Sequence, residues 1–482
     1  MHSDEHASSQ SIPDAVAMPA TVAQCHEVIQ AQARQIEVLL QRVARHEEQM
    51  AVLQERLKLD SHNSSKPPSS DGPGRPNRAQ RRASERKRGA QKGHPGSYRA
   101  LLPEAEVNGV HDCRPAPRCE CGAEVAVQGK PLRHQVFDIP PARVDVQEYR
   151  LYSGVCRGCG KPQRAVLPSG VPTGQIGPRA LALIGVLGTR YHLTQFKIRD
   201  LLAQMTGLDF SVGAISQAHG KVAVAMKAPV AEVAATLATA PVVHMDETSY
   251  PREGSANWVW AAIQPKLAVF SVLPSRARYV IHDLIGQAPQ GVVVSDRYAG
   301  YAYIDCGQRQ VCWAHLLRDF TRIAQRAGVA GRIGRRLLGL GYVMFRWRGK
   351  GKTSTEDFEP IMRRLRQALE RGTQQPQCPR TANTCDNLLK VWAALWGFVT
   401  HAGVEPTNNA AERALRGIVL KRKISGPTRS RRGDEFIARG FSVHETCRRQ
   451  GLDMWGYLQR AVVAWIDKVP HPSLVPAAVP TG

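Results

Sequence analysis

Two aspartates stand at the ends of short apolar runs. Asp246 ends the run Val242-Val-His-Met-Asp246, and Asp296 ends the run Val292-Val-Val-Ser-Asp296. Such runs are typical of central strands that are covered on both faces of a sheet. Two carboxylates that converge at neighbouring strand ends repel each other, so a fold tolerates them when a cation is present. The pair predicts a site for Mg²⁺ or Mn²⁺, where two ions about 4 Å apart could act on a phosphodiester.

The elements between the two aspartates predict how the chain brings them together. Strands are predicted at Trp258–Ile263 and Leu267–Leu273, followed by a helix over Arg276–Ile285. Three antiparallel strands, a helix and a parallel fourth strand describe a ribonuclease-H-like α/β sheet. The first and fourth strands are neighbours in that topology, so Asp246 and Asp296 would lie side by side.

A third carboxylate is needed for this chemistry, and Glu412 in Thr407-Asn-Asn-Ala-Ala-Glu412 is the candidate. Asn409 precedes it by three residues, which is the capping-box pattern, so Glu412 could instead satisfy a backbone N–H. Glu405 is the next candidate if Glu412 is not a ligand. The segment between Asp296 and Glu412 is too long for a loop, and residues from about 316 to 400 predict a helical insertion.

Cys312 and His315 form a C-x-x-H pair shortly after the second aspartate. Two ligands alone do not define a zinc site. The pair is interpreted either as an accessory to the acidic site, holding the strand that is cut, or as ordinary packing residues.

The N-terminal residues 1–60 contain a heptad pattern. The apolar positions that recur every seven residues are Val22, Ile29, Ile36, Val43, Met50 and Leu57. A sustained seam with charged flanks predicts a coiled-coil helix, like a leucine zipper, and a homo-oligomer. The alternative is an amphipathic helix that packs on its own chain.

Residues 61–100 are rich in Ser and Pro and then strongly basic, which predicts a disordered linker. Its basic side chains are Arg75, Arg78, Arg81, Arg82, Arg86, Lys87, Arg88 and Lys92. These residues predict an arm that lies on DNA phosphates, and the alternative is a solvated tail.

Residues 101–170 hold a cluster of cysteines. Cys156-Arg-Gly-Cys159 has the spacing of a zinc knuckle, whereas Cys119-Glu-Cys121 is the less regular C-x-C. With a predicted hairpin between them at residues 132–151, the two pairs predict a small zinc-ribbon-like module. Cys113 could replace one ligand, and the alternative is a set of unligated thiols.

The spacing of apolar residues over residues 171–240 predicts helices. The stretches Thr194–Met205 and Ser211–His219, joined at Gly207, predict either a helix-turn-helix DNA reader or ordinary helical packing. The catalytic domain is predicted over residues 241–445, with a C-terminal helix and tail at 446–482.

The charge balance indicates a polyanionic partner. The chain carries 65 Lys and Arg against 41 Asp and Glu, a formal charge of +24. No apolar run approaches the ~18 residues of a membrane span, and no secretory signal is evident, so a cytoplasmic protein with no membrane partner is predicted. A second basic stretch follows Glu412, and its members predicted to contact DNA are Arg413, Arg416, Lys421, Arg422 and Lys423. Their alternative is simple solvent exposure.

The ordered set of motifs resembles the IS66 family of bacterial insertion-sequence transposases. The motifs that carry the resemblance are Asp246-Glu-Thr, Ser295-Asp-Arg-Tyr-Ala-Gly-Tyr301, Cys312-Trp-Ala-His315, Asn408-Asn-Ala-Ala-Glu412-Arg-Ala-Leu-Arg416, Arg422-Lys-Ile-Ser-Gly426 and Thr446-Cys-Arg-Arg-Gln-Gly451. The resemblance implies a DDE-type transposase in which Asp246, Asp296 and Glu412 bind the metal. It also implies double-stranded DNA as partner, in the form of terminal inverted repeats and target DNA, and accessory proteins are further candidates. Arg297 stands where a Gly is common in the family, and the C-x-C pair departs from its usual C-x-x-C.

Two other functions are compatible with parts of the pattern. A ribonuclease-H-like nuclease would use the same acidic triad without strand transfer. A non-catalytic DNA-binding regulator would need only the coiled coil, the cysteine module and the basic arm. A complete and correctly ordered acidic triad argues against the regulator.

Overall fold

The computed structural model describes residues 21–58 and 99–477 and divides the chain into two compact units, 1–75 and 76–482. The first unit contains one continuous helix of 37 residues, α1 (Val22–Lys58). Four apolar heptad side chains remain between 52% and 79% exposed, namely Val22, Ile29, Ile36 and Val43. The helix therefore presents an apolar stripe, and self-association through that stripe stays a prediction.

The cysteine region has little regular structure. Its strands β1 (Ser153–Val155) and β2 (Pro162–Arg164) form a short antiparallel hairpin around the Cys156–Cys159 turn. The strands predicted over residues 132–151 are absent, and Ile139 is 83% exposed there. Alternation of apolar residues predicts a strand only where another layer covers the apolar face, and these side chains remain exposed.

Four helices precede the sheet: α2 (Pro178–Thr189), α3 (Gln195–Thr206), α4 (Val212–Ala225) and α5 (Lys227–Ala238). The Thr194 and Ser211 side chains cap α3 and α4, and Gly207 ends α3 with a φ of 72°. The two helices of the predicted helix-turn-helix are therefore present. Half of the residues of α4 are buried, and His219 stacks on Phe436 at 3.9 Å between ring centroids. This burial favours the packing interpretation over a recognition helix.

The centre of the second unit is a mixed five-stranded sheet. Its elements in chain order are β3 (Val242–Ser249), β4 (Trp258–Ile263), β5 (Ala268–Leu273), α6 (Arg278–Ile285), β6 (Val292–Ser295) and β7 (Arg309–Val311). The spatial order is β5-β4-β3-β6-β7. Strands β3, β4 and β5 pair antiparallel, while β6 and β7 pair parallel to their neighbours.

A helical segment follows β7: α7 (Trp313–Ala324), α8 (Gly328–Arg348), α9 (Thr355–Thr373), α10 (Pro379–Lys390) and the short α11 (Gly397–Thr400). The chain then returns through α12 (Asn409–Ser425), α13 (Arg431–Gln450) and α14 (Met454–Asp467). Two apolar cores result. One packs α2, α4, α12, α13 and α14 on β3–β5, and the other packs α7–α11 on β6 and β7. In the described ranges, no helix combines the length and the apolar character needed to cross a membrane.

Candidate active site

The pairing of β3 with β6 brings the two predicted aspartates together. The parallel register pairs Val242 with Val292 and His244 with Val294. Continued by two residues, this register sets Asp246 opposite Asp296, and their side chains emerge on the same face because strand residues alternate. Each carboxylate also accepts a local backbone N–H. Asp246 Oδ1 accepts from Glu247 N at 3.0 Å, and Asp296 Oδ1 accepts from Tyr298 N at 2.9 Å.

The surroundings of Asp246 are electrostatically unfavourable for a carboxylate. Burial raises the pKa of Asp246 well above its ordinary value, and the charges of Glu247, Asp296 and Glu412 raise it further. A buried carboxyl group with three acidic neighbours is stabilised in its ionised form by a cation. The oxygen donors in this arrangement fit a divalent ion such as Mg²⁺.

Glu247, the residue that follows Asp246, makes a different set of contacts. Its side chain is buried, accepts a hydrogen bond from Tyr301 Oη at 3.1 Å, and forms an ion pair with Arg276 at 2.6 Å. Burial raises the pKa of Glu247, and the charge of Asp296 adds to this effect, while Arg276 opposes it. The Arg276 guanidinium also lies 3.9 Å from the ring centroid of Tyr298. Glu247 therefore ties β3 to the segment that follows Asp296.

The backbone of Asp296 is held by a buried cation, Arg309. Arg309 is 4% exposed, and its Nη2 donates to the carbonyl oxygen of Asp296 at 2.8 Å. Ser295 Oγ donates to the same oxygen at 3.0 Å. The neighbouring Arg297 forms an ion pair with Asp319. Sequence reasoning missed Glu247 and Arg309, although Glu247 lies within the Asp-Glu-Thr motif that was singled out.

Asn408 fixes the start of α12 beside β3. The residue is fully buried, and its Nδ2 donates to the carbonyl oxygen of Met245 at 2.7 Å. Its Oδ1 lies 3.3 Å from His244 Nδ1, and burial lowers the pKa of His244 to about 4, so the neutral ring can donate to this oxygen. The Asn408 backbone N–H donates to Cys312 Sγ at 3.1 Å. One residue thus joins β3, the start of α7 and the helix that carries Glu412.

The Glu412 carboxylate lies against α7. Its Oε2 is 3.4 Å from Arg318 Nη2, and its Oε1 is 3.5 Å from His315 Nδ1. Arg318 Nη1 also lies 3.2 Å from His315 Nε2. Burial is the main cause that lowers the pKa of His315. Glu412 therefore contacts the C-x-x-H element, and its charge also reaches Asp246.

The contacts of Glu412 do not match the predicted capping box. Asn408, not Asn409, is the residue that precedes the first turn of α12, and its side chain makes no capping hydrogen bond. The nearest partners of the Glu412 carboxylate are instead His315 and Arg318 on another helix. Glu405, the second candidate for a third ligand, is 64% exposed and pairs with Arg348 at 3.7 Å.

Among the described residues, one group of three metal-ligating side chains has all its donor atoms within 4.8 Å of one another. This group is Cys312, His315 and Glu412. The predicted triad of Asp246, Asp296 and Glu412 does not meet that distance, so Glu412 lies with the C-x-x-H pair in this conformation.

The basic residues after Glu412 divide into two kinds. Arg413, Arg416 and Lys423 are exposed, as predicted for phosphate contacts. Arg422 donates to the Ser249 hydroxyl at 2.9 Å and also to its backbone carbonyl.

Lys421 departs from the predicted role. Its buried ammonium donates to Leu193 O at 2.8 Å and to Ser425 Oγ at 3.0 Å, and burial lowers its pKa to about 8. It cannot reach DNA in this conformation. The basic arm predicted from Arg75 to Lys92 lies outside the described residues.

The cysteine pairs of the predicted zinc module each form internal contacts. Hydrogen bonds from Cys121 lower the pKa of Cys119, and a backbone hydrogen bond from Cys159 lowers that of Cys156. Cys113, the predicted substitute ligand, is exposed. The four thiols are not gathered into one ligand group in the described part of the chain, and zinc binding here stays a prediction.

Comparison with known proteins gives three matches. Residues 173–435, more than half of the chain, match the family described as Transposase IS66 family. Residues 17–100 match a family of unknown function, DUF6444. An uncharacterized protein of Sinorhizobium fredii, y4hP, is 24% identical over 408 residues, which cover 74% of this chain and 72% of the relative.

Proposed function

Because the chain belongs to the IS66 transposase family, we propose that it is the DDE-type transposase of a bacterial insertion sequence. In this proposal it binds the terminal inverted repeats of the element, cleaves phosphodiester bonds at the element's ends and joins the freed 3′-hydroxyls to target DNA. The catalytic domain would be ribonuclease-H-like. The strand order β5-β4-β3-β6-β7, with three antiparallel strands followed by two parallel ones, supports that assignment.

The observation that carries the proposal is the alignment of Asp246 with Asp296 at neighbouring strand ends, with Glu412 close enough for its charge to act on Asp246. The β3–β6 register aligns Asp246 with Asp296, and the charge of Glu412 contributes to the raised pKa of Asp246. A protein that only binds DNA gains nothing from buried, mutually repelling carboxylates. Asp246, Asp296 and Glu412 would hold Mg²⁺ or Mn²⁺, which when bound activates a nucleophile and stabilises the leaving oxygen.

The chain's own residues would supply the positioning. Asn408 holds the first turn of α12 against β3, so that the Glu412 backbone is fixed relative to Asp246. Glu247 and Arg309 hold the two strand ends that carry the aspartates. For Glu412 to join the pair, its carboxylate has to exchange its contacts with Arg318 and His315.

Recognition of DNA would rest on charge. Arg413 and Arg416 are exposed on the same face of the helix that carries Glu412, so their guanidinium groups could contact phosphates next to the cleaved bond. The +24 charge of the chain would favour association with any duplex. The exposed stripe of α1 would join two or more copies, so that both ends of the element are held together.

The test uses the full-length protein with a labelled duplex that carries an element end. Asp246→Asn, Asp296→Asn and Glu412→Gln should each abolish cleavage and joining, while DNA binding stays within a few-fold of the wild type. Glu405→Gln is the matched control, because it removes an exposed carboxylate from the loop that precedes α12. Cleavage by Glu412→Gln would refute the assignment of the third ligand.

The wild-type protein separates the competing functions in the same assay. Cleavage without any joining of the 3′-hydroxyl end would identify a nuclease. Specific binding without divalent-metal-dependent cleavage would identify a regulator.

A further inference from the structure

The group formed by Cys312, His315 and Glu412 has the composition of a transition-metal site. Cys312 and His315 lie three residues apart at the start of α7, so their side chains emerge on one face of that helix. Glu412 enters from the first turn of α12, and the three donor atoms all lie within 4.8 Å of one another. Two ligands of a tetrahedral zinc ion sit about 3.4 Å apart, given metal–ligand bonds of about 2.1 Å. His315 Nδ1 and Glu412 Oε1 are 3.5 Å apart.

Two of these donor atoms lack a hydrogen-bond partner. His315 Nδ1 and Glu412 Oε1 are both buried, and neither makes a hydrogen bond in the described part of the chain. A buried polar atom without a hydrogen-bond partner destabilises the fold, so native proteins rarely leave two of them facing each other. A cation between them would satisfy both.

The surrounding residues orient the donors for such an ion. Arg318 contacts the outer atoms, His315 Nε2 and Glu412 Oε2, and leaves the inner atoms directed at each other. The Asn408 N–H donates to Cys312 Sγ, a contact that a metal-bound thiolate can retain. Burial raises the pKa of Cys312 to about 11, so this residue is a thiol in the metal-free protein and would lose its proton on metal binding.

Arg318 has to move when an ion binds. A neutral imidazole that coordinates through Nδ1 carries its proton on Nε2, and that nitrogen can no longer accept from Arg318. The bound ion would also replace Arg318 as the positive charge opposite Glu412. Arg318 is partly exposed, so its guanidinium can turn towards solvent.

We propose that Cys312, His315 and Glu412 bind a divalent transition metal of the zinc class, at a position distinct from the oxygen-only site of Asp246 and Asp296. A thiolate, an imidazole and a carboxylate together select zinc or cobalt over Mg²⁺. Three protein ligands leave the fourth position of a tetrahedral ion open to water. A consequence that rests on the proposed function is that zinc holds Glu412 away from the aspartates and inhibits Mg²⁺-dependent cleavage.

Cobalt is the probe for the site, because a thiolate bound to Co²⁺ gives a charge-transfer band and a tetrahedral site gives intense visible bands. The titration uses the full chain with the four predicted zinc ligands Cys119, Cys121, Cys156 and Cys159 replaced by serine, so that those thiols contribute no signal. We expect one Co²⁺ per chain. Cys312→Ser should remove the charge-transfer band, and His315→Gln should weaken binding at least tenfold. Cys447→Ser is the matched control, since it changes another buried thiol and should leave the band intact.

If the four-serine variant does not fold, cobalt binding is compared between the wild-type chain and the single variant Cys312→Ser. The variant should then bind one cobalt ion fewer per chain. An unchanged band in Cys312→Ser, or no bound cobalt in a folded background, would overturn the site. Cleavage assays make failure of the metal site distinguishable from failure of the proposed function. Cobalt binding together with zinc inhibition that Cys312→Ser relieves supports both. Cobalt binding without any inhibition by zinc sustains the site and overturns the role of Glu412 in cleavage.

Discussion

Replacing Asn408 with alanine removes the contact that holds α12 against β3. The side chain is fully buried and makes two hydrogen bonds, to Met245 O at 2.7 Å and with His244 Nδ1 at 3.3 Å. Each bond contributes about 1 kcal/mol net, and the partner groups left unsatisfied add about 1 kcal/mol or more. We expect the free energy of unfolding of Asn408→Ala to fall by about 2–4 kcal/mol.

The same substitution should impair cleavage in protein that is still folded. Without the Asn408 side chain, the first turn of α12 is free to shift relative to Asp246, and a displacement of ~1 Å can cost about 10²-fold in rate. Stability is measured by urea unfolding followed by circular dichroism. Cleavage of an element-end duplex is measured at a temperature where the variant is folded.

Asn409→Ala is the matched control for this prediction. Asn409 is the next residue and is only half-buried, and its side chain makes no hydrogen bond within the described ranges. Its replacement should change the free energy of unfolding by less than about 1 kcal/mol. If Asn408→Ala is as stable and as active as Asn409→Ala, then the contact with β3 does not position Glu412 and the reasoning fails.

Three further predictions concern other parts of the chain. In EDTA at pH 7, Asp246→Asn should raise the free energy of unfolding, because burial and the neighbouring acidic charges raise the pKa of Asp246 and make stability fall as pH rises above the ordinary value of 3.8. Urea unfolding should show this gain disappearing below about pH 4, where the carboxyl group is protonated in both states. Ile36→Asp with Val43→Asp should dissociate the predicted oligomer in sedimentation, and an unchanged mass would exclude α1 as the interface. Cys156→Ser with Cys159→Ser should lower the zinc content by about one ion per chain, and equal metal analysis of variant and wild type would reject the module.

The strands and the aspartates could be predicted because their signals are local. The apolar runs before Asp246 and Asp296 and the antiparallel strands between them correspond to β3, β4, β5 and β6. The mixed sheet is confirmed in the structure. The contacts that arrange the site are not local, since the Asn408–Met245 hydrogen bond joins residues 163 positions apart. No pattern around Asn408 reveals that its side chain faces β3 and not its own helix.

The predictions for Lys421 and for strands over residues 132–151 differ from the structure for different physical reasons. Lys421 belongs to a basic run, but it follows the buried Leu415 and Ile418 at helical spacing, so it lies on the inner face of α12. That position could have been read from the helix period. The strands expected over residues 132–151 fail because alternation carries no information about whether a covering layer exists.

The contact between Asn408 and Cys312 also has a consequence for how the chain folds. It joins residues 96 positions apart, and the five helices between them pack mainly on one another and on β6 and β7. Neighbouring helices form early because their contacts are close in sequence, and the entropy of closing the two ends grows only slowly with the length between them. The sheet and this segment can therefore each become ordered before the ends of the segment meet. In refolding experiments we expect DNA cleavage, the proposed activity, to return after the circular dichroism signal, since the helix that carries Glu412 is fixed beside β3 only in that final closure.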